Sequence, residues 1–170
     1  NGKSTCYRDL FLGDPSTGDA WADEIILARD YNATLMILHN STYYTIGNYG
    51  NPSMTRKMAC SYLMSDGKRY TEQTGWETKE LKDELKNRDP RMAQTVLCPG
   101  YIMKEESKPT PNDMTSLTGY EPIKFVASVA QSGASKGTMD WPVIRAAEVY
   151  LNYAEALAEL DQLDQTALDI

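Results

Sequence analysis

The sequence lacks an excess of positive charge. Its 170 residues include 17 Lys and Arg against 24 Asp and Glu, which gives a formal net charge of −7. Proteins that bind the phosphate backbone of nucleic acids need clustered cations, and anionic lipid surfaces attract similar clusters. The composition therefore argues against nucleic acid as a partner and against a basic membrane-binding patch.

A secretion or membrane-anchoring segment is also missing. The chain opens with the polar residues NGKSTCYRDL, and we find no apolar signal core, lipobox or membrane span in the sequence. We therefore expect that any export signal has been removed or lies outside this chain.

Residues that carry metal or nucleophilic chemistry are scarce. The single histidine is His39, and the three cysteines, Cys6, Cys60 and Cys98, are widely spaced. This spacing fits no metal-ligand pattern, and it leaves open whether two cysteines form a disulfide or all three are free. No Gly-x-Ser-x-Gly elbow is present. The sequence thus predicts no metal and no cofactor, and it favours His39 as a polar edge residue rather than a base.

One helix stands out in the C-terminal part of the chain, within RAAEVYLNYAEALAEL. Apart from its polar stripe, this segment is covered by Ala, Val, Leu and Tyr, a pattern that predicts burial on more than one side. Asp140 as a cap and Pro142 in the first turn predict where the helix begins. The stripe consists of Arg145, Glu148, Asn152, Glu155 and Glu159. Few other segments are convincingly helical, so we expect the packing partners of this helix to lie outside the chain.

The rest of the chain is rich in turn-forming residues. We predict a strand at Glu24–Ala28 and a short helix with apolar positions from Met54 to Leu63, ended by Asp66 and Gly67. The segment WETKELKDELKNRDP predicts a second helix, with Leu81 and Leu85 four residues apart on one face, that ends before Pro90. Thr118–Ala130 reads as an extended segment.

Several of these segments together resemble the SusD/RagB family. The quoted helix within WPVIRAAEVYLNYAEALAEL is similar to the C-terminal signature of that family. The segments DEIILARDYN, YLMSDGKRY, NRDPRM and TGYEPIKF resemble further family elements, in family order. Ala146 departs from the pattern, because a bulkier residue is usual there.

The resemblance implies a mainly α-helical, SusD-like fold with TPR-type helix packing, long loops and a few short strands. It also implies that the chain is an internal or C-terminal fragment of a larger fold. Residues 1–170 would then be a partial SusD/RagB-like domain. Within it, residues 1–139 would be loop-rich with short helices and strands, and residues 140–163 would form the long TPR-like helix.

The same resemblance implies a function in binding rather than in catalysis. Family members are glycan- or nutrient-binding lipoproteins at the surface of the Gram-negative outer membrane. They capture an oligosaccharide or polysaccharide for a TonB-dependent transporter of the SusC type. Attachment to the membrane would run only through a lipid anchor that this chain does not contain.

Aromatic and amide residues are dense in NSTYYTIGNYGNP, residues 40–52, which predicts an exposed loop. Sugar sites stack pyranose faces on aromatic rings and bond hydroxyl groups with polar side chains, and loops often carry binding residues. Trp76 is a second stacking candidate. The predicted ligand-binding residues are Tyr43, Tyr44, Asn48, Tyr49 and Trp76. In the alternative interpretation, the tyrosines pack this loop onto the body and Trp76 covers the helix that follows it.

Two other functions stay open at this stage. A glycoside hydrolase would need paired carboxylates, and Glu155 and Glu159 lie one helical turn apart. Both belong to the polar stripe, so a solvated face is the simpler interpretation. Arg145 and Glu148 are expected to pair with each other or with a neighbouring helix. The third possibility is a helical-repeat scaffold that binds a protein and no sugar.

Overall fold

The structure is a computed structural model that describes residues 6–13, 23–46, 49–110 and 116–169. The chain divides into two compact units. The larger unit comprises Asn1–Leu12 and Tyr31–Met139, and the smaller unit comprises Gly13–Asp30 and Asp140–Ile170.

Short helices and irregular segments build the larger unit. Its α-helices are α1 (Cys6–Leu10), α2 (Ser41–Ile46), α3 (Arg56–Ser61) and α4 (Leu81–Glu84). Single 3₁₀ turns occur at Tyr70–Glu72, Trp76–Thr78 and Val129–Gln131. The smaller unit contains β1 (Ile25–Arg29), β2 (Trp141–Arg145), α5 (Ala146–Glu159) and α6 (Gln165–Leu168). In the described residues, this helix-rich architecture with one short sheet agrees with the expectation of helices, long loops and a few short strands.

Two irregular segments run side by side through the core of the larger unit. The amide of Leu97 donates to the carbonyl of Glu121 (2.8 Å), and the amide of Ile123 donates to the carbonyl of Thr95 (2.8 Å). These bonds satisfy buried backbone groups without a regular sheet. They hold apolar side chains in two clusters, one of Leu97, Tyr101, Met103, Ile123 and Val126 and another of Ala59, Met92, Val96 and Tyr120.

Helices α3 and α4 pack on the second of these clusters. Leu81 and Leu85 contact it as the four-residue spacing predicts, together with Met54 and Tyr62. Helix α4 is shorter than expected, because the chain turns at Asn87, whose φ is 54°. The helix therefore ends before Pro90, as predicted, but without direct help from it.

The prediction of a loop over residues 40–52 is wrong for its first half. Ser41–Ile46 form α2, in which the amide of Tyr44 donates to the carbonyl of Asn40 (2.9 Å). The fully buried hydroxyl of Thr42 accepts from the amide of Ala127 (3.0 Å) and anchors the helix to the core. This long-range anchor outweighs the weak helix propensity of Ser, Thr and Tyr.

The prediction of His39 as a polar edge residue is also wrong. Its side chain is buried, its Nδ1 accepts from the amide of Ser41 (3.1 Å), and its Nε2 faces the carbonyl oxygen of Met139 (3.0 Å). Since the amide can only donate, the neutral ring carries its proton on Nε2. The ring also packs edge-on against Tyr31, with 4.6 Å between centroids. His39 is thus a structural residue of the larger unit.

Strand β1 confirms the predicted strand to within one residue at each end, but the predicted start of the long helix is wrong. Residues Trp141–Arg145 form β2 and pair antiparallel with β1, from Ile25 opposite Arg145 to Arg29 opposite Trp141. Helix α5 therefore begins at Ala146, after Arg145 in an extended conformation. The pairing with β1 outweighs the start signals of Asp140 and Pro142.

Helix α5 exposes the apolar residues that its sequence pattern predicts to be buried. None of its residues is buried, and Leu151 and Tyr153 are 70% and 52% exposed. Within this chain, the expected burial on several sides does not occur. In the described part of the chain, no helix has the length and hydropathy needed to span a membrane.

Candidate functional site

Three of the predicted ligand-binding residues form one aromatic surface, which we call the tyrosine platform: Tyr43, Tyr44 and Tyr49. The rings of Tyr43 and Tyr49 are stacked, with 4.3 Å between centroids and 13° between planes. The Tyr44 ring meets Tyr43 edge-on at 5.2 Å. Tyr43 is half-buried, whereas Tyr44 and Tyr49 are 50% and 65% exposed. The platform therefore offers ring area to solvent and is held together by its own aromatic contacts.

A close backbone approach brings Tyr49 back to helix α2. A Cβ atom added at Gly50 would lie 2.7 Å from the Tyr44 carbonyl oxygen and 3.2 Å from its Cβ. Only glycine allows the chain to pass this close. Asn48, the predicted hydroxyl partner, lies outside the described residues.

The phenol of Tyr43 keeps its proton at neutral pH. Burial, followed by the neighbouring Tyr49 phenol, raises the pKa of Tyr43 above its ordinary value. Neutral phenols present an apolar face together with hydroxyl groups that both donate and accept hydrogen bonds. That combination matches a sugar, which has a C–H face and a hydroxyl-bearing rim.

Trp76 lies in a different environment from the platform. Its ring meets Tyr70 edge-on at 6.0 Å, and the Arg56 guanidinium lies 5.2 Å from its centroid. The structure therefore places Trp76 beside α3 and α4, at the wall of a cleft of about 620 Å³. The packing interpretation of Trp76 and a binding role are compatible, because the half-buried ring both packs and lines this cleft.

A buried polar network behind Trp76 escaped the sequence analysis. The carboxylate of Glu84 is 4% exposed, and its two oxygens accept from Arg56 (2.7 Å) and from the Tyr120 hydroxyl. Burial, followed by the hydrogen bond to Glu84, raises the pKa of Tyr120. With both oxygens hydrogen-bonded, Glu84 holds Arg56 and Tyr120 together in the packing of the larger unit. The sequence contains one sign of this network, because Glu84 lies three positions after Leu81 on the otherwise apolar face of α4.

Arg88 extends this network into the backbone. Its guanidinium donates to the carbonyls of Glu84 (2.8 Å), Ala59 (2.7 Å) and Tyr62 (2.8 Å). It also lies 4.0 Å from the centroid of the Tyr70 ring. Arg88 thereby fixes α3 against α4.

The segments that carry the family resemblance meet around these residues. The amide of Ser65 donates to the carbonyl of Asn87 (2.8 Å), and the amide of Asp89 donates to the carbonyl of Leu63 (2.9 Å). Tyr120 of TGYEPIKF shares a buried cluster with Met92 of NRDPRM. The recognisable motifs of the larger unit are thus mutual structural partners, which explains why they do not coincide with the tyrosine platform.

The residues considered for catalysis form no comparable site. Glu155 and Glu159 are both exposed on α5. Arg145 forms an ion pair with Glu24 (3.0 Å), a partner that the sequence pattern did not indicate. Among the described residues, no group of His, Cys, Asp and Glu could hold a metal ion. Cys60 and Cys98 are free thiols, and the side chain of Cys6 lies outside the described residues.

Comparison with known proteins identifies a family and a similar fold. The model of the SusD family matches residues 23–170. The fold is similar to the crystal structure of a SusD-like protein from Bacteroides fragilis NCTC 9343, with a TM-score of 0.65 and 20% sequence identity. That similarity covers 98% of this chain and 38% of the solved chain, so this chain spans well under half the length of that structure. No curated protein matches the chain.

Proposed function

Since this chain belongs to the SusD family, we propose that it is part of a glycan-binding protein of the outer membrane. In this proposal, the tyrosine platform binds an oligosaccharide, with Tyr44 and Tyr49 as stacking surfaces and Asn48 as a hydroxyl partner. The observation that carries the proposal is the exposure of two neighbouring tyrosine rings held in place by a third.

The arrangement of the rings supports binding at a modest entropic cost. Tyr49 is stacked on Tyr43, and Gly50 allows the chain to return close against α2. Ring surfaces that are already ordered lose little freedom when a ligand docks. Removing apolar area from water contributes about 25 cal/mol per Å². A pyranose ring laid on Tyr44 or Tyr49 would gain this contribution while its hydroxyl groups stay hydrated.

The wider roles follow from the family and extend the proposal. The complete protein would be a lipid-anchored surface protein that passes its glycan to a SusC-type TonB-dependent transporter. Helix α5 would pack in the TPR manner against helices of the longer protein. Two observations support that packing. Leu151 and Tyr153 are exposed on α5, and this chain covers only 38% of the solved SusD-like structure.

A protein-binding scaffold is the second candidate function. The exposed apolar surface of α5 favours it, because large apolar side chains at a helix surface commonly mark a protein contact. The two candidates differ in whether the protein retains any sugar.

A glycan array probed with the full-length protein tests the proposal. We expect the protein to retain at least one class of oligosaccharide, and we expect the same sugars to remain intact after prolonged incubation. A protein that retains no glycan would support the scaffold, and cleavage of a retained glycan would support a hydrolase.

A further inference from the structure

The cleft beside Trp76 carries positive charge in an acidic chain. Its volume is about 620 Å³, and the described residues that line it are Arg56, Lys57, Cys60, Ser61, Leu63, Arg69, Thr71 and Trp76. Three of these are cations and none is an acid, although the whole chain has a net charge of −7. A concave surface lined by one sign of charge concentrates ligands of the opposite sign.

The three cations differ in whether they already have an ion-pair partner. Arg56 is engaged, because it pairs with Glu84 (2.7 Å) and donates to the carbonyls of Trp76 (3.0 Å) and Glu77 (2.9 Å). The side chains of Lys57 and Arg69 are exposed, and within the described part of the chain neither has an ion-pair partner. The charges of Lys57 and Arg69 are thus available to a ligand, while Arg56 holds the Trp76 ring in place.

Arg56 and Tyr70 hold the Trp76 ring, which forms the aromatic wall of the cleft. The Arg56 guanidinium lies 5.2 Å from the centroid of the Trp76 ring, and Tyr70 meets the same ring edge-on at 6.0 Å. Tyr70 in turn donates through its hydroxyl to the Trp76 carbonyl (3.3 Å). Ser61 and Thr71 add hydroxyl groups to the lining. The cleft therefore combines a held indole, hydroxyl groups and two available cations.

We propose that this cleft is a second saccharide subsite, which takes an acidic sugar unit through Lys57 and Arg69, with Trp76 at the pyranose ring. The proposal rests on the glycan-binding function and adds a ligand class to it. A neutral sugar would leave both cations without a partner. A carboxylate or sulfate ester would pair with them, and Arg69 can contact two oxygens of either group at once. We therefore assign the cleft to a glycan that contains uronic acid or sulfated units.

Calorimetric titration of the full-length protein tests the assignment with three probes of similar length: an oligogalacturonate, a sulfated heparin-type oligosaccharide and a neutral malto-oligosaccharide. The variant Lys57→Gln/Arg69→Gln removes both available charges without touching Glu84. Lys104→Gln/Lys108→Gln is the matched control, since it removes the same charge from two exposed lysines outside the cleft. Both variants should keep the parental circular dichroism spectrum.

We expect one or both acidic probes to bind more tightly than the neutral probe, and we expect this preference to fall as salt is added. The cleft variant should weaken acidic binding on the order of tenfold, because each exposed charge contact contributes only modestly. The control variant should leave acidic binding within twofold of the parent. The preferred acidic probe identifies carboxylate or sulfate as the group recognised.

The outcomes separate the two proposals. If acidic probes bind the cleft variant as tightly as the parent, the subsite is overturned, whatever the tyrosine platform does. If the control variant loses as much acidic binding as the cleft variant, the effect is one of general charge and the subsite is also overturned. Loss of acidic binding in the cleft variant alone, with the neutral probe unaffected, supports it. Absence of binding to any saccharide overturns both the subsite and the proposed function.

Discussion

Because Gly137 has no side chain, the ring of His39 can pack directly against its backbone. A Cβ atom at residue 137 would collide with the His39 ring. The backbones of the two residues also form a pair of hydrogen bonds of 3.1 and 3.0 Å, so neither can move away freely.

The substitution Gly137→Ala should therefore destabilise the protein by about 1–3 kcal/mol, the usual cost of overpacking. Denaturant unfolding measures this loss. Gly133→Ala is the control, because its new Cβ would meet only the Cγ atom of the Lys136 side chain, at 3.1 Å, and no ring or backbone atom. If the two variants have equal unfolding midpoints, a Cβ atom fits at residue 137 without strain, and this would contradict the structure.

Tyr70 links the core to alkaline stability. Its side chain is 1% exposed. Burial, followed by the charge of Glu84, raises the pKa of Tyr70 from 10.0 to about 12. In the unfolded chain the phenol ionises at its ordinary, lower pKa. The unfolded state then binds fewer protons than the folded state above that value, so stability falls as pH rises.

We expect the free energy of unfolding to decline between about pH 10 and pH 12 in the parent and to decline less in Tyr70→Phe. The contribution should be fully present below pH 10. Urea unfolding at a series of alkaline pH values provides the measurement, with Tyr44→Phe as the control for an exposed tyrosine. Parallel curves for the parent and Tyr70→Phe would contradict the assignment.

Secondary-structure elements show which features of the fold the sequence could predict. The short apolar run before RDYN indicates β1, and the spacing of Leu81 and Leu85 identifies the buried face of α4. Helix α2 could not be found, because its main anchor is a hydrogen bond between residues 85 positions apart, Thr42 and Ala127. For the same reason Trp141–Arg145 reads as a helix start, although pairing with β1 makes it a strand.

The candidate site shows the same limit. The density of Tyr in residues 40–52 predicts an aromatic surface, and the structure brings Tyr43, Tyr44 and Tyr49 together. It places Trp76 with Arg56 and Tyr70, a grouping that depends on how α3 meets α4. Local composition could therefore predict residues that share a segment, but not residues that long-range packing brings together.

The anchor of α2 can be tested directly. Thr42→Val keeps the size of the side chain but leaves the buried amide of Ala127 without its acceptor. We expect a loss of about 1–3 kcal/mol in unfolding free energy. Thr45→Val is the matched control, since the Thr45 hydroxyl bonds only a carbonyl of its own helix, that of Ser41 (2.7 Å). If Thr45→Val lowers the unfolding free energy as much as Thr42→Val, the hydrogen bond between Thr42 and Ala127 does not anchor α2.

At the scale of the whole molecule, the proposed packing of helix α5 against helices of a longer protein can be tested. Its apolar residues lie at the surface here, and the solved SusD-like structure is much longer than this chain. If the remainder of the full-length protein covers α5, Leu151→Ala should cost about 2–5 kcal/mol there, as for a core leucine. Glu155→Ala on the polar stripe should change stability by less than about 0.5 kcal/mol. Thermal unfolding of the full-length variants measures both, and a Leu151→Ala protein as stable as the parent would contradict TPR-type packing.

The binding of sugar by the tyrosine platform is the central claim, and calorimetry on Tyr44→Ala and Tyr49→Ala in the full-length protein tests it most directly. Loss of one ring should weaken binding of the preferred oligosaccharide by on the order of 1–2 kcal/mol, or about five- to thirty-fold. Leu117→Ala, at a residue that is 87% exposed and outside the platform, should bind like the parent. If both tyrosine variants stay folded and bind with parental affinity, the platform is a packing feature and the account is wrong.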